Sequence, residues 1–362
     1  MNSAARALLG AFLTSLVSCS TVPSAGPCTP GGDGSYRSEL YEDLAQFCVV
    51  DLRDGAVVPT DASVVPYDVN SPLFSDYATK ARAIWLPPGT RATYRADDVL
   101  DLPVGTILTK SFGFPRTPGA RDGKIQWVET RVLARGDEGW LASSYVWDDA
   151  QEHASRRPGG TVRDIDVTTE SGEIRHASYL VPGTTQCGKC HERDAKLLPI
   201  GVRASGLNRD FAYPAGVENQ LAHWASRGTL DAVPSAPPKL AVWNDPATGD
   251  ASTRARAYLD ANCSYCHSPV GEARTTGLFL SIGETDPVRL GRCKQPVAAG
   301  RAASNLSFDL VPGKPDESIL LSRMLAVEPS IAMPELGRSL VHTEAVALVR
   351  DWIAAMPGTC TP

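Results

Sequence analysis

The stretch Asp250–His267, DASTRARAYLDANCSYCH, decides how the second half of this chain is interpreted. Apolar and small residues recur in it with the spacing of one helix face, and Asp250 or Ser252 can cap that helix. The predicted helix runs directly into the motif Cys263-Ser264-Tyr265-Cys266-His267, which reads C-x-x-C-H. This pattern is the attachment signature of c-type haem.

The chemistry explains the spacing of the motif. Two thiols three positions apart on a helical turn can add to the two vinyl groups of a haem, and the next residue presents its imidazole to the iron. The same motif occurs at Cys187-Gly188-Lys189-Cys190-His191. A Cys₄ zinc site needs its pairs roughly 15–20 residues apart, whereas 72 residues separate Cys190 from Cys263, and a thioredoxin-like pair does not explain the repeated histidine. We therefore predict two covalently attached haem c groups, one held by Cys187, Cys190 and His191 and the other by Cys263, Cys266 and His267.

Two more helices are predicted after the second motif. One begins at Pro315, where two acids follow in the first turn, and the last is capped by Thr343 and ends before Gly358. With these helices, residues 250–362 resemble a class I cytochrome c domain. The resemblance implies that Met333, in a Met-Pro loop, is the sixth iron ligand. His/Met ligation raises the reduction potential and suits electron transfer.

The surroundings of the first motif are less complete. We expect residues 181–240 to form a partial cytochrome c-like segment, with one helix over 214–227. No methionine lies between Met1 and Met324, so a local thioether ligand is excluded. His223, on the predicted helix, is the nearest candidate for the sixth ligand, and an open five-coordinate iron is the alternative.

The N-terminus indicates export. Residues 1–18 have a short positive start and an apolar run of about ten residues, too short to span a bilayer. The run ends in Leu16-Val17-Ser18-Cys19, which resembles the lipobox of bacterial lipoproteins and implies lipidation of Cys19; a plain cleaved signal is the alternative. Residues 19–49 are then a tether and a short helix. We expect a lipid-anchored protein of the cell envelope, on the periplasmic or surface face of the outer membrane.

Residues 50–180 carry alternating or β-branched runs separated by Gly, Pro and Asp turns. We predict a mixed fold, in which an antiparallel β domain of sandwich or jelly-roll type precedes mainly α-helical cytochrome c-type haem domains. No nucleophile constellation, phosphate loop or metal-ligand spacing appears in the β domain. Its acidic residues are expected to be solvated. The predicted strand runs are Ala81–Leu86, Thr106–Phe112, Trp127–Ala134, Leu141–Trp147, Val162–Val167 and Glu173–Leu180.

From about residue 40 to 356 the chain resembles one family of bacterial di-haem c-type cytochromes. The resemblance implies two covalent haems and a redox role, and it supplies no substrate. It rests on Val65–Tyr77 (VPYDVNSPLFSDY) with Lys80 and Arg82, and on Pro103–Thr106, Glu129–Arg131, Pro199–Gly201, Leu207-Asn208, Asn219–Leu221 and Ala257–Cys263.

Three functions remain open at this point. The leading one is an envelope-anchored carrier of single electrons between redox proteins, without a substrate of its own. The second is a peroxidase-like enzyme whose first haem is an open catalytic centre. The third is a binding module with accessory haems. A net charge of −6 without a basic block makes nucleic acid an unexpected partner.

The cysteine count suggests two disulfides. The chain has nine cysteines, of which five are assigned above to lipid and haem. The remaining four are Cys28, Cys48, Cys293 and Cys360. An even remainder in an exported protein indicates disulfide bonds. Three pairings are formally possible, and proximity in sequence favours Cys28 with Cys48 and Cys293 with Cys360.

Overall fold

The structure is a computed structural model that describes residues 28–120, 122–297 and 300–361. The predicted signal segment 1–18, the lipidation site Cys19 and residues 19–27 of the tether lie outside the described residues. Among the described residues, no helix is long and apolar enough to cross a membrane.

Antiparallel strands dominate the first part of the described chain. Their sequences are rich in β-branched and aromatic residues, which pack well on a pleated surface. A six-stranded sheet forms a meander, in which each strand pairs with the next along the chain. Two hairpins flank it in sequence, one before and one after. The first hairpin is β1 (Val50–Arg53) with β2 (Ala56–Pro59); the sheet is β3 (Val65–Pro66), β4 (Thr79–Trp85), β5 (Ile107–Pro115), β6 (Ile125–Arg135), β7 (Trp140–Trp147) and β8 (Ala154–Arg156); the second hairpin is β9 (Thr161–Thr168) with β10 (Ile174–Val181).

The two faces of the six-stranded sheet have different partners. One face, with Ala83, Val132 and Tyr145, packs on the segment before β1, where Phe47 is fully buried. The opposite face is apolar at both ends and charged between them. One end packs on side chains from residues 202–230, and the other end packs on the β9–β10 hairpin. Residues of this second face line the same cavity as the first C-x-x-C-H motif.

The expected mixed fold with mainly α-helical haem domains is wrong, because β-structure predominates and the helices are few and short. The β part is also a single meander with separate hairpins, not a sandwich or jelly roll. In the second half, long irregular segments connect helices of at most 12 residues in the described chain. The helices are α1 (Thr184–His191), α2 (Ala204–Leu207), α3 (Gln220–Ser226), α4 (Ala251–Asn262), α5 (Ile319–Leu325) and α6 (Thr343–Ala354), and two more hairpins are β11 (Glu192–Arg193) with β12 (Lys196–Leu197) and β13 (Asp210–Tyr213) with β14 (Gly216–Asn219).

Local chemistry explains why two predicted helices are shorter than expected. The helix expected over 214–227 is interrupted because Gly216 has φ of 135°, which turns the chain into the β13–β14 hairpin. The helix expected from Pro315 begins only at Ile319. Ser318 is extended there, and its hydroxyl accepts a hydrogen bond from the backbone N–H of Val311 at 2.9 Å.

The helices after residue 250 share one core, in which α4 and α5 both pack against α6. This core is joined to the six-stranded sheet by the loop between β3 and β4. The carboxylate of Asp76 accepts hydrogen bonds from the backbone N–H groups of Ser339 and Leu340 at 2.8–2.9 Å. The ring of Phe74 stacks on His342, with ring centroids 4.1 Å apart. The two halves of the molecule therefore share a buried interface.

Candidate functional site

The first motif lies entirely on α1, which is held against the sheet at its N-terminus. The side chain of Gln186 accepts a hydrogen bond from the backbone N–H of the N-cap residue Gly183 at 2.9 Å, which is one half of a capping box. A Cβ at Gly183 would lie 2.8 Å from the carbonyl oxygen of Pro158, so only glycine fits there. Ser144 on β7 donates a hydrogen bond to the carbonyl of Pro182 at 2.9 Å. These contacts fix the helix that carries Cys187 and Cys190.

The second motif lies at the C-terminal end of α4. Asp250 caps this helix, because its carboxylate accepts a hydrogen bond from the backbone N–H of Thr253 at 2.7 Å. Cys263 follows the last helical residue, and the chain then turns back on itself. Gly271 packs against that turn, since a Cβ there would lie 2.3 Å from the carbonyl oxygen of Cys266.

Both motif histidines have Nδ1 against a backbone carbonyl. Nδ1 of His191 lies 2.8 Å from the carbonyl oxygen of Leu198, and Nδ1 of His267 lies 3.3 Å from that of Leu278. A carbonyl only accepts, so the proton is on Nδ1 and the lone pair is on Nε2. Burial lowers the pKa of both imidazoles to about 4, so both are neutral at physiological pH. A neutral imidazole with Nδ1 donating to a backbone carbonyl is a common arrangement of a metal-bound histidine.

The four motif cysteines are unpaired thiols. Burial raises the pKa of Cys187, and it raises the pKa of Cys263 to about 12. Within the described residues, no group of three or more His, Cys, Asp or Glu side chains is arranged to hold a metal ion. Each motif supplies two thiols followed by a neutral imidazole, a set that fits the covalent attachment of a haem.

A cavity of about 390 Å³ adjoins the first motif. Small-molecule and cofactor sites have volumes of roughly 300–1,000 Å³. Cys187, Cys190 and His191 line one part of it, and the sheet lines another through apolar and basic side chains of β5 and β6. Tyr265, from inside the second motif, lines the same cavity. The space is thus bounded by both motifs and by the sheet.

The two motifs are in direct contact. Sγ of Cys266 lies 3.5 Å from the carbonyl oxygen of Lys189, to which the thiol donates a hydrogen bond. Nζ of Lys189 lies 3.1 Å from a carboxylate oxygen of Glu272, just after the second motif. The fold therefore brings together two sites that are far apart in the sequence.

Met333 lies in the loop between α5 and α6, and Arg338 holds that loop. The guanidinium of Arg338 donates hydrogen bonds to the carbonyl of Met333 at 2.8 and 3.1 Å and to that of Ala326 at 2.9 Å. Leu336 and Gly337 of the same loop line the cavity. Met333 is half-buried on an anchored loop, and its bond to iron stays a prediction.

His223 is not among the residues that line the cavity. Its Nδ1 lies 2.8 Å from the carboxylate of Glu218, and its ring stacks on Tyr213 with centroids 3.6 Å apart. These partners belong to the β13–β14 hairpin. The placement therefore does not support His223 as the sixth ligand of the first haem.

The four remaining cysteines lie at disulfide distance in the pairing that proximity favoured. Cys28 and Cys48 have a Cα–Cα distance of 5.5 Å, and Cys293 and Cys360 one of 5.2 Å. Such bonds form and persist in oxidising compartments.

Sequence reasoning missed two groups of buried polar residues. His342 lies among four aromatic rings at the junction of the two halves. Glu129, expected to be solvated, is fully buried. It accepts hydrogen bonds from the guanidinium of Arg131 at 2.6 and 3.0 Å and from the hydroxyl of Tyr179 at 2.7 Å. The sequence does carry a signal for the buried charges of the sheet: basic residues occupy alternate strand positions on a face that is otherwise apolar.

Comparison with protein-family models, curated proteins and solved structures gives no match. The resemblance to di-haem cytochromes therefore stays a prediction from the sequence.

Proposed function

We propose that this protein is a two-haem c-type electron-transfer protein that passes single electrons between redox partners. The observation that carries the proposal is the contact between the two C-x-x-C-H motifs, in which Cys266 reaches the backbone of Lys189. Electron tunnelling falls steeply with distance, so two redox centres that exchange electrons must be held close together. The two motifs begin 76 residues apart in the sequence. A fold that brings them into contact meets that requirement.

The residues of each motif have defined roles in this proposal. Cys187 and Cys190 would hold one haem and Cys263 and Cys266 the other, while His191 and His267 present Nε2 to the irons. Each haem, when attached, supplies an iron that takes up and releases one electron. The carbonyls that accept from Nδ1 keep each imidazole in one orientation and one tautomer, so little reorganisation accompanies a change of charge.

We also propose that the protein works in the cell envelope, anchored by lipid at Cys19. Two disulfide pairs support an oxidising compartment. Covalent haem attachment to C-x-x-C-H also takes place outside the cytoplasm. Other redox proteins are the proposed partners.

The test uses three proteins produced with a c-type maturation system: the wild type, Cys187→Ala/Cys190→Ala and Cys263→Ala/Cys266→Ala. We expect two reduction waves in a spectroscopic redox titration of the wild type and one wave in each variant. In the wild type, photoreduction of one haem should be followed by fast intramolecular equilibration with the other. Two haems that exchange electrons only through added mediators would contradict the proposal. Turnover of peroxide by the wild type would favour the peroxidase-like enzyme instead.

A further inference from the structure

Three basic residues form a row across the sheet where it faces the cavity. Arg82 on β4 is directly opposite Lys110 on β5, which is directly opposite Arg131 on β6. All three line the cavity that His191 also lines. Like charges directly opposite one another destabilise a sheet. The row therefore needs a compensating interaction at each position.

Both outer members of the row have an acidic partner. Arg82 forms an ion pair with Asp68. Arg131 forms a two-point ion pair with the buried carboxylate of Glu129. The positive charges at the two ends of the row are therefore each paired with a carboxylate of the protein.

Lys110, at the centre, has no such partner among the described residues. None of their carboxylates lies within 4.0 Å of its ammonium group, and none of their oxygens accepts a hydrogen bond from it. Its Nζ lies over the face of Phe112, 4.8 Å from the ring centroid. Lys110 is partly buried, and an unpaired ammonium group that is shielded from water is destabilised, so it either binds an anion or gives up its proton.

The neighbours of Lys110 favour the second outcome. Burial, followed by the positive charges of Arg82, Lys80 and Arg131, lowers the pKa of Lys110 well below its usual range. An unprotonated amine carries a lone pair on nitrogen. Among the described residues that line the cavity, His191 is the one histidine and no methionine is present. Lys110 is therefore the remaining side-chain nitrogen base beside the first motif.

We propose that Nζ of Lys110 is the second protein ligand of the iron bound by His191. The inference rests on the proposed function, because it requires a haem attached at Cys187 and Cys190. Any proton that Nζ still carries passes to solvent on binding, and the amine donates its lone pair to the iron, with no change of oxidation state. The row then consists of one neutral ligand between two matched ion pairs. This accounts for a lysine at a position where a charged side chain would be repelled.

The test replaces Lys110 in the haem-loaded protein and measures the spin state. Lys110→Arg keeps the positive charge but cannot bind iron, and Lys80→Arg is the matched control. Lys80 lies on the same face of the sheet, two residues before Arg82, and does not line the cavity. We expect electron paramagnetic resonance and visible spectra of two low-spin haems in the wild type and in Lys80→Arg. In Lys110→Arg, one of the two haems should become high-spin and bind cyanide at least ten times faster.

A low-spin spectrum of Lys110→Arg identical to that of the wild type would overturn the proposal. It would indicate that Lys110 acts through its charge, as an anchor for an anion. If Lys110→Arg does not fold, Lys110→Met serves instead: a new thioether–iron band at long wavelength supports ligation at this position, and an unchanged spectrum refutes it. A haem count on each sample separates the two proposals. Two haems with an unchanged spin state reject only the Lys110 ligand, whereas fewer than two haems in the wild type reject the proposed function.

Discussion

The buried histidine at the junction of the two halves makes stability depend on pH. His342 is 7% exposed, its ring stacks on Phe74, and its Nδ1 lies 3.1 Å from the hydroxyl of Tyr258. Burial, with a smaller contribution from the positive charge of Lys80, lowers its pKa to about 3. The perturbation we choose is His342→Phe, which keeps an aromatic ring against Phe74 and removes the titrating group.

The expected magnitude follows from the difference in proton binding. An unfolded histidine has a pKa of about 6.5. As the pH falls, the unfolded chain binds a proton at His342 that the folded chain does not bind. The contribution of His342 to the free energy of unfolding is therefore fully present at neutral pH. It is lost as the pH falls from about 6.5 toward the folded value. Between pH 7 and pH 5, the wild type should lose about 2 kcal/mol from this one group. His342→Phe has no titrating group at this position, so its free energy of unfolding does not change with pH for this reason.

The assay is urea denaturation of the haem-loaded protein at pH 7, 6 and 5, followed by far-ultraviolet circular dichroism. His342→Phe should be less stable than the wild type at pH 7, because the hydroxyl of Tyr258 loses its partner, at a cost of about 1–2 kcal/mol. All other titrating groups are shared, so the difference in unfolding free energy between the two proteins isolates His342. On going to pH 5 the wild type should lose about 2 kcal/mol relative to His342→Phe, so that the difference vanishes or reverses sign.

The control is His153→Gln, since His153 is exposed beside β8. This variant should follow the pH dependence of the wild type. A stability difference between wild type and His342→Phe that stays constant from pH 7 to pH 5 would refute the reasoning. It would mean that His342 can take up a proton in the folded protein.

Three further changes test the structure around the second motif. Replacing Cys293 and Cys360 by serine opens a 67-residue loop and should lower the unfolding free energy by about 4 kcal/mol, which urea titration measures; a loss below about 1 kcal/mol would contradict this disulfide. Met333→Ala should remove the thioether–iron band at long wavelength and lower one reduction potential, and an unchanged spectrum would reject Met333 as a ligand. Arg338→Gln removes hydrogen bonds from a charged group to several loop carbonyls and should destabilise the protein by about 3 kcal/mol in urea, whereas wild-type stability would show that the loop is held by other contacts.

Local sequence patterns predicted the individual elements better than their assembly. The run Trp127–Ala134 lies inside β6, and the helix expected from Asp250 to the second motif is α4. These elements depend on side-chain periodicity and caps within a few residues of one another. The overall fold class was wrong because local periodicity does not reveal how the strands assemble or how much of the chain between helices is irregular. At Gly216, one residue with a positive φ replaced half of an expected helix by a hairpin.

In the candidate site, too, local features could be predicted from the sequence and non-local contacts could not. Each C-x-x-C-H motif is local, so its thiols and histidine can be read from the sequence. The carbonyl partners are less obvious, because Leu198 and Leu278 lie seven and eleven residues beyond the histidines they contact. The contact between the motifs is non-local, and so is the alignment of Arg82, Lys110 and Arg131. That alignment depends on the register of three strands.

The most direct test of the central claim is the intact mass of the exported protein under denaturing and reducing conditions. Non-covalent groups are lost under these conditions, while haem bound through thioethers to Cys187, Cys190, Cys263 and Cys266 remains on the chain. The account predicts a mass equal to the lipidated mature chain plus two haems, and loss of one haem in each paired cysteine variant. A wild-type mass without two covalent haems would contradict it.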